Sequence, residues 1–352
     1  MKVTFLGTSS GVPTRQRNVS ATAIQPEEGK DWILVDCGEA TQHQLLHSEL
    51  SPQRLRAILI THIHGDHCYG LPGLLASCQL NGRTDALTII GPEAVLQYLR
   101  AVMVFTQLHI HFPLQFIALD RVSDSTAHMQ LFSQLDIHVS EAAESGARPL
   151  LSIAGFDITA WPLNHRVDCW GYRLEENNVP LKLDVERLRR DGITSGAHFA
   201  RLQKGLDAIY TDADGVTRTL SCQNYTGRSR SARVVVIAGD NDNPECLRGA
   251  CDQTDLLIHE ATYTEDVLGK VGPGPGHSCA RQVASFAEVQ GLKALILTHF
   301  SSRYLFKATK PADRCIDEIE QEARSVYAGD LFLAEDLARF SIDREGRVTR
   351  DG

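Results

Sequence analysis

No stretch of the 352-residue chain reaches the roughly 18 apolar residues that a membrane helix needs, so no membrane partner is expected. Nine cysteines are scattered without a Cys-x-x-Cys pair, and their number is odd. That pattern excludes a disulfide scaffold and fits free thiols in a reducing cytoplasm. An excess of basic charge is also missing: 35 Lys and Arg against 44 Asp and Glu leave a net charge of −9. Such a chain does not attract a polyanion by its overall field, so any nucleic-acid contact has to come from a local patch. Internal repeats and low-complexity tracts are absent, which excludes a solenoid. The opening MKVTFLGTSSG has no apolar h-region and reads as a strand entering a turn, not as a signal peptide.

What is present is an ordinary globular composition, 43% hydrophobic and 22% charged, long enough to bury a large core. Short β-rich runs open the chain: KVTFLG, SATAIQP, WILVDCG and LRAILITH. Helical periodicity appears in EATQHQLLHSEL, LPGLLASCQL and PEAVLQYLRAVM. HIHFPLQFIAL, LDIHVSEA and FDITAWPLNH read as further strands, followed later by ARVVVIAGD, DLLIHEAT and ALILTHF. Helices are expected across CARQVASFAEVQG and ADRCIDEIEQEARSVYAG. Interleaved strands and helices with a hairpin-like start predict an α/β sandwich with mixed sheets, one domain over 1–352. The segment 175–233 differs. It is polar, Gly-punctuated and basic, carrying Arg187, Arg189, Arg190, Arg201, Lys204, Arg228 and Arg230. Its apolar content predicts an inserted arm without a core of its own.

The informative feature is what ends each strand. LRAILI runs into Thr61-His62-Ile63-His64-Gly65-Asp66-His67, and DITAWPLN ends in His165. VVVIAG ends in Asp240, LLI in His259-Glu260, and ALILT in His299. Ligand-type residues delivered repeatedly to strand ends are hard to attribute to packing. His62 and His64, two apart on extended chain, point the same way and can share one metal ion. Gly65 permits a sharp turn that brings Asp66 and His67 round to a second ion. Imidazole with carboxylate suits zinc, with manganese or iron as substitutes. His109-Ile110-His111 has the same spacing as His62 and His64 but lacks the following Asp-His, and it is read as one face of a strand. Asp36, next to a Cys-Gly turn, is read as an acceptor that orients ligand histidines, and His259 and Glu260 as residues behind the ligands or in a substrate loop.

The ordered set FLGTSSGVPT, VDCGEATQHQL, THIHGDHCYGLPGLL, PLNH, AGDN, HEATY, GHS and LTHFSSRY resembles the metallo-β-lactamase superfamily. Within it the chain resembles the ribonuclease Z family of tRNA 3′-processing endonucleases. Pro13-Thr14-Arg15-Gln16-Arg17-Asn18 is similar to that family's PxKxRN loop, with Arg15 in place of Lys. The resemblance implies an αββα sandwich with an inserted exosite arm and two zinc ions per chain. His62, His64 and His165 would bind the first ion; Asp66, His67 and His299 would bind the second; and Asp240 would bridge them. It further implies that a hydroxide held by Asp66 attacks phosphorus and that His277 protonates the leaving 3′-oxygen. Arg15, Arg17 and Asn18 would contact substrate. The arm, with Arg187, Arg189 and Arg190, would bind the tRNA precursor, in a homodimer without a nucleotide cofactor. Three positions depart from the family pattern: Asn241 and Cys279 stand where Thr is usual, and Gly196-Ala197 where Gly-Pro is usual. The alternatives are the same centre acting on other RNA 3′ ends or small cyclic phosphodiesters, and a thioester or lactam hydrolase. Against the last, Asp66 follows the His-x-His pair and the PxKxRN-like loop has no evident use there.

Overall fold

The computed structural model describes residues 1–119, 135–139, 147–308 and 310–352, with 135–139 as backbone alone. The chain divides into two compact units, Met1–Glu175 with Arg233–Gly352, and Glu176–Ala232.

In the larger unit the first sheet is built from β1 (Lys2–Gly7), β2 (Ala21–Gln25), β3 (Trp32–Val35), β4 (Leu55–Leu59), β5 (Leu87–Gly91), β6 (Leu114–Ala118) and β7 (Leu135–Val139), in that spatial order. β1 to β3 pair antiparallel, and β3 to β7 run parallel. The sheet is therefore mixed, as the hairpin-like start predicts. A second sheet follows from β8 (Arg148–Ile153), β9 (Phe156–Leu163), β10 (Cys169–Glu176), β11 (Val234–Ile237), β12 (Leu256–Glu260), β13 (Ala294–Thr298) and β14 (Asp330–Leu333). Two last strands, β15 (Arg339–Ile342) and β16 (Val348–Arg350), return to the first sheet beside β1.

The two sheets face each other through Phe5, Ile33 and Leu59 on one side and Ile158, Tyr172, Val235 and Ile258 on the other, all buried. Strands such as WILV and VVVI are apolar at every position because their outer faces are covered as well. The helices are α1 (Thr41–Leu45), α2 (Gly65–Cys68), α3 (Leu71–Leu80) and α4 (Glu93–Thr106) in the first half of the chain. α3 and α4 bury Leu71, Leu74, Leu75, Val95, Leu96 and Leu99 against Leu34, Ile58 and Ile89. In the smaller unit lie α5 (Val185–Arg190) and α6 (Ala197–Gln203), and beyond it α7 (Ala280–Val289) and α8 (Asp317–Arg324). α7 and α8 bury Val283, Ala284, Ile319 and Ala323 against Val236, Leu257 and Leu295. Helix, sheet, sheet and helix follow in layers, the expected αββα sandwich.

Three expectations change. His109-Ile110-His111 is not on a strand: α4 ends in a left-handed Gln107, and the three residues form the exposed-ended loop before β6. The helix expected over EATQHQLLHSEL shrinks to α1, entered through Ala40 at φ 59°. Segment 175–233, expected to have no core, holds a small one of Leu188, Ile193, Leu202, Ala208, Tyr210 and Leu220 within Glu176–Ala232. Its apolar residues are spaced too widely in sequence to show a period. Two short antiparallel ladders, Leu181–Leu183 with Thr226–Arg228 and Ala208–Thr211 with Thr217–Leu220, bring them together. Residues 140–142 of the LDIHVSEA run lie outside the described residues.

Candidate metal centre

The carboxyl ends of β4, β9, β11, β12 and β13 meet at one edge of the larger unit; β12 ends in His259-Glu260, and each of the others runs into His62, His165, Asp240 or His299 within three residues. Two contacts lock the loop after β4 to the second sheet. The Trp170 amide donates to Thr61 O at 3.0 Å, and the Tyr172 hydroxyl donates to Ile60 O at 2.7 Å. Gly239, before Asp240, has no room for a side chain. A Cβ there would lie 2.7 Å from both Cys169 Sγ and Thr61 Cβ.

Two clusters result. In the first, His64 Nδ1 lies 3.0 Å from His62 Nε2 and 3.2 Å from His165 Nε2. In the second, His67 Nε2 and His299 Nε2 are 3.2 Å apart, with Asp66 Oδ2 at 3.3 Å from His299 and 3.6 Å from His67. Asp240 turns one oxygen to each. Its Oδ2 lies 3.6 Å from His62 Nε2 and 3.9 Å from His165 Nε2, and its Oδ1 lies 3.4 Å from both His67 and His299. His277 joins the edge of the pair, with Nδ1 at 3.4 Å from Glu260 Oε1 and 3.7 Å from Asp240 Oδ2.

The far nitrogens explain why the near ones converge. His67 Nδ1 lies 2.7 Å from Asp36 Oδ2, and a carboxylate only accepts, so the ring donates there. His165 Nδ1 likewise donates to Gly276 O at 2.7 Å. The Thr61 hydroxyl donates to Asp36, which leaves its oxygen to accept from His62 Nδ1 at 3.0 Å. Across the site, the Thr262 hydroxyl donates to Glu260 Oε2 at 2.7 Å and accepts from His299 Nδ1 at 3.0 Å. A carboxylate–threonine pair from each half of the chain thus fixes the tautomers of the rings in front of it, leaving bare Nε2 lone pairs aimed inward.

Electrostatics favour a cation here. Burial pushes His62 well below its ordinary pKa, and burial also lowers His64 and His165, so these rings are neutral donors. Burial opposes charge on His67 too, but Asp240, Asp36 and Asp66 outweigh it and hold its pKa well above the usual value. Burial works against the charge on Asp240, yet His299, His67 and His62 keep its pKa well below the carboxylate range. Asp240 Oδ1 is buried and has no hydrogen-bond partner among the described residues. Neutral imidazoles at His62, His64 and His165, carboxylates that draw positive charge onto His67, where a metal ion would take the proton's place, and an orphaned oxygen at the shared position fit a pair of zinc-type ions.

The other expected residues divide. Asp36, His259 and Glu260 stand behind the ligand set: His259 Nδ1 donates to Glu260 O at 2.7 Å, and its Nε2 faces Asn241 Nδ2 at 3.3 Å. Arg15 is exposed and Asn18 half-buried, with Asn18 Nδ2 donating to Glu39 O. Arg17 requires correction. Expected at the substrate, it is 3% exposed, with its guanidinium stacked between Phe306 and Phe300 and donating to Tyr304 O at 2.8 Å. The aromatic rings that follow His299 capture it, so it shapes the loop from within. Asn241 Oδ1 accepts from the amides of Asn164 and Asn243, while Cys279 caps α7 with Gln282. In the smaller unit Arg187, Arg189 and Arg190 are exposed on α5 and form no ion pair with a described residue. Asp184 caps that helix by accepting from the Arg187 amide. Thr61, Thr262 and Gly276 were not singled out in the sequence. Thr61 and Thr262 lie within one or two residues of a candidate ligand or acid, which is the signal that could have found them.

Comparison with known proteins adds the following. A family model described as Anti-Pycsar protein Apyc1 matches residues 1–109. The chain is 41% identical to the ribonuclease Z of Pseudomonas putida (strain W619) over 353 residues, 99% of each chain. The crystal structure of human tRNase Z, short form, superposes with a TM-score of 0.64 at 27% identity, covering 97% of this chain and all of that one. The metallo-β-lactamase fold protein YhfI of Bacillus subtilis gives 0.59 at 19% identity, covering 96% and 98%.

Proposed function

The chain belongs to the ribonuclease Z family of metal-dependent endoribonucleases, and from that premise we propose that it removes 3′ trailers from tRNA precursors by hydrolysis at a two-zinc centre. The observation that carries the reading is Asp240, which offers one buried oxygen to each of two clusters of inward-facing donors. His62, His64 and His165 would hold one ion and Asp66, His67 and His299 the other, with manganese or iron as substitutes for zinc. When bound, such a pair lowers the pKa of water and neutralises charge on the scissile phosphate.

The chain's own groups supply the remaining chemistry. Asp66, ionised because His67 and His299 outweigh its burial, holds the attacking water and takes its proton. His277 gives a proton to the leaving 3′-oxygen. Burial opposes its charge, but Glu260 raises its pKa to about 9, so the acid form is present at neutral pH. Arg15, exposed, and Asn18, half-buried, would be the loop groups that meet RNA, and the three exposed arginines of α5 give an acidic protein a local basic patch for it. Segment 175–233 acts as the arm of an otherwise single-domain enzyme. The homodimer rests on the family resemblance and the cytoplasmic location on the odd number of cysteines without a Cys-x-x-Cys pair; no described helix is long and apolar enough to cross a membrane.

The test compares precursor tRNA bearing a 3′ trailer with bis(p-nitrophenyl) phosphate. The zinc-loaded protein is expected to hydrolyse both, and Asp66→Ala to abolish both. Hydrolysis of the small diester with an intact precursor moves the assignment to other phosphodiesters.

A further inference from the structure

The shortest contact of Asp66 Oδ2 comes from outside the histidine cluster. The Gly11 amide donates to it at 2.7 Å, closer than His299 at 3.3 Å or His67 at 3.6 Å. Gly11 sits at φ +70°, a region that L side chains rarely adopt, and a Cβ there would meet nothing within 4 Å. Conformation and not space is therefore what calls for glycine at this position.

The residues around Gly11 are tied to the same cluster. Ser9 and Ser10 form a two-residue strand parallel to Phe300 and Ser301, immediately after His299. The Phe300 amide donates to Thr8 O at 2.9 Å. At the base of the loop, Thr8 and Ser9 amides both donate to Asn18 O. Asp336 fastens the same base by accepting from the Thr8 hydroxyl at 2.7 Å and the Asn18 amide at 2.6 Å. Beyond Gly11 the loop tip is exposed at Val12, Pro13, Arg15 and Gln16. One end of the loop is thus fixed, the tip is open to ligand, and Gly11 joins the tip to Asp66.

We propose that Gly11 is a positioning residue whose amide sets the orientation of the Asp66 carboxylate, so that loop 9–18 couples contact at its tip to the second cluster of the site. The role of Asp66 rests on the reading given above; the Gly11 bond does not, and the experiment separates them. Metal-free protein labelled with 15N-glycine reads the bond directly: the Gly11 amide proton is expected to move upfield on Asp66→Ala. In zinc-loaded protein, Gly11→Ala is expected to lower kcat on bis(p-nitrophenyl) phosphate about five-fold with KM unchanged, from the penalty on a left-handed L-residue. Gly11→Asn, which tolerates that region, is expected to stay within about two-fold of the parent. An unmoved Gly11 resonance, equal losses in the two variants, or a loss confined to KM would each overturn the proposal. A protein that spares precursor tRNA but shows the resonance shift and the Ala–Asn contrast retains Gly11 in this role and loses only the RNA assignment.

Discussion

Asp36 holds His67 from behind: Oδ2 lies 2.7 Å from Nδ1, and Asp36 reaches that position with its own backbone at φ 61°. The two residues are 31 apart in sequence and come together because β3 and β4 are parallel neighbours. Glu260, through Thr262, performs the equivalent service for His299, itself at φ 58°. Residues of this kind cost backbone strain and persist where the surrounding structure fixes them.

The first prediction tests that support. Asn adopts positive φ readily, so Asp36→Asn keeps the backbone and removes the charge that His67 faces. Zinc affinity, measured by competition with a chromophoric chelator, is expected to fall 10- to 100-fold, a range of about 1.4 to 2.7 kcal/mol. Unchanged affinity would show that His67 is oriented by Thr61 and packing alone.

His277 gives a pH prediction whose sign follows from Glu260. A group with pKa raised to about 9 is protonated below that pH and loses its proton as pH rises through it. Cleavage of precursor RNA is therefore expected to fall above about pH 9. Glu260→Gln removes the charge that raises His277 and moves this limb to lower pH. Bis(p-nitrophenyl) phosphate, whose nitrophenolate leaves without a proton, shows no such limb, and His277→Ala harms it less than RNA. Equal losses on both substrates would assign His277 to positioning.

The arginines of α5 supply the third. Neutralising Arg187, Arg189 and Arg190 together is expected to weaken precursor tRNA binding and to lower the slope of log K against log salt by about 0.7–0.9 per lost phosphate contact. Turnover of the small diester should be unchanged. Arg187 stands 5.6 Å from the Tyr225 ring centroid, so replacement by Gln keeps most of the stem that packs there. A triple variant that binds and cleaves like the parent at raised salt would remove the arm from RNA recognition.

Much of this site is legible in the sequence because its ligands lie at the ends of apolar runs. LRAILI, VVVIAG and ALILT announce strands, and each delivers His or Asp just where the run stops. Strand β10, reading CWGYRLEE, escapes because glycine and charge interrupt its period, and β14 to β16 (DLFL, RFSI and VTR) because charged or hydroxyl residues break such short runs, unlike the equally short WILV and VVVI. His109 and His111 mislead through spacing alone; only the turn at Gln107 shows them to be loop. Arg17 misleads because the aromatic rings that bury it, Phe300 and Phe306, come near the far end of the chain. The Thr61 and Thr262 hydroxyls act through hydrogen-bond direction, and residue type alone carries none of that information.

The central claim is a two-ion centre that releases tRNA 3′ trailers, and the most direct measurement pairs metal analysis with product mapping on one preparation. Zinc-loaded protein should carry two ions per chain and cut a trailer-bearing precursor once, at the 3′ side of the tRNA body, leaving a 3′-hydroxyl. Two ions with an uncut precursor, or cleavage by protein carrying one ion or none, would contradict the account.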